Sequence, residues 1–124
     1  MSAAHNNCAV LAVAAVTGEA RQDIAAGIAR FPTYHGGPAF TGDAVNMWSV
    51  GTYLESRGWE VLVCLDRPAI PWTCIIAAQN PDHCFAIING RIHDRAAVRL
   101  DGAEIHFIFV PPAERECERG SGAT

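Results

Sequence analysis

At Gly58 the spacing of apolar residues changes from helical to alternating, and this change limits the fold more than any other feature of the chain. Before it, apolar residues fill whole segments or recur every three or four positions. After it, they alternate or run together over short stretches bounded by turn residues. A helical block followed by a strand block predicts an α+β fold, with N-terminal helices packed on a C-terminal antiparallel sheet. At 124 residues the chain can build one core but not two. Residues 1–112 are therefore expected to form a single domain, and the charged, glycine-containing stretch 113–124 a mobile C-terminal tail.

The first expected helix spans 8–16, apolar nearly all round and therefore central to the core. Asn6 and Asn7 are good N-caps, which puts Cys8 in the first turn, and Thr17-Gly18 end it. A second helix over 19–30 carries Ile24, Ile28 and Phe31 on one stripe and stops at Pro32. Gly36, Gly37 and Pro38 make 33–40 a loop. A third helix is expected over 43–57, with Thr41 as a possible N-cap. Strands are expected at 59–65, 73–78, 83–89, 91–94 and 104–110.

Charge and cysteine usage remove several function classes. The net charge is -4 with no run of Lys or Arg, so the electrostatic footprint of a nucleic-acid binder is missing. Five cysteines (Cys8, Cys64, Cys74, Cys84 and Cys117) with no CxxC pair argue against a disulfide framework or a standard zinc module. Cys74, Cys84 and His93 lack a fourth ligand at sensible spacing, so no metal and no cofactor is expected. Thiols used in this way suit a reducing, cytoplasmic setting. The apolar run 8–16 is too short to span a bilayer and has only His5 in place of a basic leader, so no membrane association is expected.

Asn89-Gly90 is a strong signal for a two-residue type I′ hairpin. Folding the chain about it sets Ile88 opposite Arg91, Ile87 opposite Ile92, Ala86 opposite His93 and Phe85 opposite Asp94. His83, Phe85, Ile87, Ile92 and Asp94 then share one face, and His83 and Asp94 become diagonal neighbours with Cβ atoms roughly 7 Å apart. A carboxylate so placed can orient an imidazole and stabilise its protonated form. Cys8 is the matching nucleophile, because the free N–H groups and dipole of a helix start favour a thiolate there. The same helix start offers backbone N–H groups to an oxyanion, and Asn6 or Asn7 could add a side-chain donor.

The segments NNCAVLAVAAVTG at 6–18 and HCFAIINGRIHD at 83–94 resemble the papain-like cysteine peptidase superfamily. The likeness is nearest to small domains of the bacteriocin-leader-processing type and to short proteins of phages and mobile elements. It covers roughly 6–96 and rests on order: Cys at a helix start, His opening a strand, Asp one strand later. It implies a papain-like fold and a Cys8–His83–Asp94 triad acting as a hydrolase or acyl transferase on a peptide, isopeptide or amide bond. Many relatives place a Gln before the Cys as oxyanion donor. Here Ser2 to His5 contain none, so the donors would be Asn6, Asn7, Ser2 or backbone, and double-glycine cleavage does not carry over.

The expected partner is accordingly a peptide or protein substrate. His35 in the glycine-rich loop and Trp48 are candidates for bordering its cleft. Taken singly, Cys8 also reads as a small buried residue, His83 as an edge-strand histidine and Asp94 as a turn cap. The alternative function is a catalytically inactive binding protein on the same fold, such as an accessory or anti-host factor of a phage or mobile element.

Overall fold

The structure is a computed structural model and describes residues 7–41, 44–63, 69–79, 83–93 and 104–112. Three helices, α1 (Cys8–Thr17), α2 (Arg21–Ala29) and α3 (Met47–Ser56), precede the main strands. A short ladder pairs β1 (Phe40–Thr41) with β2 (Ala44–Val45). The main sheet holds β3 (Glu60–Val63), β4 (Cys74–Gln79), β5 (His83–Ile88), β6 (Arg91–His93) and β7 (Glu104–Val110) in the order β3-β7-β4-β5-β6, all neighbours antiparallel. The α+β class expected from the period change is the class observed. No described helix is long and apolar enough to cross a membrane.

Alternation along the strands divides the apolar residues between two faces. Ile75, Ala77, Cys84, Ala86 and Phe109 pack with all three helices, through Val10 and Val13 of α1, Ile24 and Ile28 of α2, and Val50 and Leu54 of α3. Cys74, Ile76, Phe85, Ile87, Ile108 and Val110 form a second buried cluster on the opposite face. Where α1 crosses the sheet both surfaces are small: Ala9 and Ala12 on the helix, Ala77, Cys84 and Ala86 below it. That lets the backbone of α1 lie close to β4 and β5. β7 is an interior strand, between β3 and β4, and its Ile108, Phe109 and Val110 are buried on both faces, as a continuous apolar run requires.

The helices start and stop for identifiable reasons. The Asn7 side chain accepts the Ala9 N–H at 2.9 Å and so caps α1, putting Cys8 at its first position. α2 begins at Arg21 rather than Glu19, which stays outside the helix and is paired with Arg57. Hydrogen bonding from the guanidinium holds the Glu19 carboxyl below its ordinary range, and the same contact raises Arg57. The stabilisation is present at neutral pH and fades as pH falls through the lowered Glu19 value. Both side chains are more than a third exposed, which keeps it below about 1 kcal/mol. A Cβ at Gly27 would overlap the Tyr53 ring, so the glycine is what lets α2 approach α3.

α3 starts at Met47, not at Asp43, and Thr41 lies in β1 instead of capping it. Asn46 is the cap, its side chain accepting the N–H groups of Trp48 and Ser49, and the pairing of β1 with β2 holds the preceding residues extended.

The hairpin has the register read from the sequence: Ala86 opposite His93, Ile87 opposite Ile92, Ile88 opposite Arg91. Asn89 and Gly90 both have positive φ, 51° and 80°, as a type I′ turn demands. The Gly90 N–H donates to the Trp72 carbonyl at 2.8 Å, and a Cβ there would stand 2.7 Å from Trp72 Cζ3. Gly90→Ala is therefore expected to cost about 1–2 kcal/mol, chiefly for the left-handed backbone, since the exposed Trp72 ring can swing aside. Urea unfolding checks this through a lower midpoint at unchanged slope.

Candidate active-site cleft

The end of the main sheet where β4 finishes and β5 starts meets the N-terminus of α1, and a cleft of about 430 Å³ opens between them. Asn7 and Cys8 form one wall, Ala44 to Met47 a second, and Ala77, Ala78, His83, Cys84, His106 and Phe107 the sheet side. A volume of that order accepts an acyl group or one or two residues of an extended peptide.

Cys8 is half-buried and belongs to the wall at the helix start. Its position follows from the cap: with Asn7 Oδ1 engaged by the Ala9 N–H, the first-turn N–H groups and the thiol face the same end of the helix. Asn7 is buried and lines the cleft. His83 opens β5 opposite Ala78 and is half-buried. Its ring stacks on Phe85, centroids 6.0 Å apart and planes 26° apart. Phe85 belongs to the sheet face away from the helices, whereas Cys84 faces α1. The structure thus brings Cys8 and His83 to one cleft. Among the described residues, however, no hydrogen bond joins the two side chains.

The remaining expected site residues are placed as follows. Asn6, Asp94, Cys64 and Cys117, with the tail 113–124, lie outside the described residues. His35 and Trp48 are not among the residues lining the cleft. They flank Tyr34, which meets Trp48 edge-on at 5.4 Å and His35 at 5.3 Å. Tyr34 is 74% and Trp48 56% exposed, so the three rings form an outward aromatic group beside Met47, the last residue of the second wall. His93 pairs with Ala86 and is exposed at the sheet edge.

Three lining residues carry chemistry that sequence reading did not single out: Asn46, which caps α3, Met47, and His106 of β7. The signal for His106 is an imidazole inside the otherwise apolar run IHFIFV at 105–110. Simple alternation would set it on the same face as Ile108, the face away from the helices. Comparison with known protein families, with curated proteins and with solved structures gave no significant match to this chain.

Proposed function

We propose that the chain is a thiol hydrolase or acyl transferase of papain-like build, acting on a peptide, isopeptide or amide carbonyl held in the cleft. The observation that carries this reading is the shared cleft of Cys8, at the first position of a capped helix, and His83, at the start of a strand. Cys8 Sγ attacks the carbonyl carbon, a C–S bond forms, and the carbonyl π pair moves to oxygen while the thiol proton passes to His83, whose ring turns off Phe85 around the start of β5 to receive it. Collapse expels the amine, which takes that proton from the imidazolium. Water or an acceptor amine then releases the acyl group from sulfur. Asp94 orients His83 in this scheme, and the first-turn N–H groups of α1 face the oxyanion. Asn7, whose amide oxygen serves the cap, lines the same cleft.

The outward rings of Tyr34, His35 and Trp48 suit the flanking residues of a peptide substrate. A second reading, a binding protein without turnover, is favoured by one observation: the His83 ring stacks on Phe85, on the sheet face away from α1.

Alkylation kinetics separate the two. With iodoacetamide at about pH 6.5, below the ordinary thiol range, Cys8 in the folded protein is expected to react at least roughly tenfold faster than in the urea-unfolded chain. Burial alone works in the opposite direction, so mass spectrometry showing Cys8 slower in the folded state would remove the enzymatic reading.

A further inference from the structure

β7 does not run evenly beside β4. Ala77 pairs with Phe107 and the next residue, Ala78, pairs with Ile105, so His106 is the extra residue of a β-bulge. Bulges of this kind turn a side chain out of strict alternation and occur often beside functional sites. The ring geometry gives an independent sign that this has happened. In a regular strand, neighbouring side chains point to opposite faces. Yet the His106 and Phe107 rings lie 5.4 Å apart, edge to face at 84°, which requires both on one side of the sheet.

That side is identified by Phe107, which packs against the cluster formed with the helices, and by its partner Ala77 in the same cluster. It is also the side of α1. His106 is exposed to solvent and lines the cleft with Cys8, on a different strand from His83. The bulge therefore supplies the cleft with a second imidazole, on the Cys8 side of the sheet. The first imidazole, His83, stacks on Phe85 on the other face.

We infer that His106 donates a ring N–H to the oxyanion formed when Cys8 attacks a carbonyl, so that the bulge completes the oxyanion site opposite the helix start. This inference rests on the thiol-acyl reading above. Two considerations assign the donor role. A neutral imidazole carries one N–H donor, and an exposed ring at a cleft wall keeps that donor available to an incoming carbonyl. Moreover, among the described residues of the sheet's cleft wall, only His83 and His106 carry a polar side chain besides the thiol of Cys84, which is turned toward α1. In the step itself, sulfur bonds to carbon, the carbonyl becomes an alkoxide, the thiol proton goes to His83 once its ring has turned off Phe85 around the start of β5, and His106 keeps its proton while hydrogen-bonding the alkoxide. When the leaving group departs, the carbonyl re-forms and the hydrogen bond weakens.

The test uses the full-length protein with p-nitrophenyl acetate as acyl donor and iodoacetamide as alkylating agent. Alkylation displaces iodide and makes no oxyanion; acylation makes one. His106→Ala is expected to slow acylation of Cys8 on the order of 10²-fold while leaving its alkylation rate unchanged. His106→Gln, which can donate an N–H but cannot act as a base, is expected to recover most of the acylation rate. The donor role is overturned if His106→Ala acylates like wild type, if the Gln variant is as slow as the Ala variant, or if alkylation slows in parallel with acylation. Wild-type protein that alkylates Cys8 rapidly yet never acylates it would sink the parent reading together with this one, an outcome distinct from loss of the His106 effect alone.

Discussion

Phe109→Ala is expected to remove about 3–5 kcal/mol of folding free energy, a large part of the roughly 5–15 kcal/mol available to a domain of this size. Phe109 is fully buried in the interior strand β7, opposite Val61 of β3 on one side and Ile75 of β4 on the other. Its ring lies parallel to that of Phe107, 6.2 Å away, and a Cβ added at Gly51 of α3 would stand 3.6 Å from its Cε1. One side chain thus joins three strands to the third helix. Truncation leaves a void that neither a paired strand nor a helix anchored by its own cap can collapse to fill. Urea unfolding should show a much lower midpoint with the slope preserved. A loss below about 1 kcal/mol would mean that α3 does not pack on the sheet as described. The variant should also disturb the cleft, since Phe107 stacks on Phe109 and lines it.

Much of this architecture could be read from residue order, and the failures have physical causes. The period change at Gly58, the capped start of α1 at Cys8 and the hairpin register about Asn89-Gly90 are local properties, set by pleat, cap and turn chemistry within a few residues. The misplaced start of α3 shows two caps in competition. Thr41 looked adequate, but it pairs with Ala44 in the short ladder, which leaves Asn46 to cap. The strand order was not legible, because insertion of β7 between β3 and β4 depends on long-range pairing; its apolar run signalled only that it would be buried on both faces. His106 escaped for a related reason. A bulge is defined by the partner strand's register, and EIHFIFV at 104–110 read alone alternates as if no residue were skipped. His83 is the converse case. Its face relative to Phe85 followed from alternation, but which face the helices would cover was not contained in the hairpin.

Cys8→Ala is expected to reduce acyl transfer from p-nitrophenyl acetate to the buffer background, a fall of roughly 10³-fold or more, with stability changed by less than about 1 kcal/mol. The two parts of this expectation have separate origins. Without the Cys8 sulfur the thioester cannot form, and the remaining imidazoles are weaker nucleophiles toward the ester than a thiolate. The fold does not need the thiol: Cys8 is half-buried at the edge of the core, alanine is the better helix former, and the cap bond from the Ala9 N–H to Asn7 does not involve position 8. Cys84→Ala provides the contrast. That thiol packs among Ala77, Ala86 and α1, so its loss should leave acylation intact while lowering the urea midpoint slightly. A Cys8→Ala protein that keeps its full biological effect despite failing to acylate would assign the molecule to partner binding. If Cys8→Ala and Cys84→Ala behaved alike in both assays, the position of Cys8 at the capped helix start would have no chemical consequence.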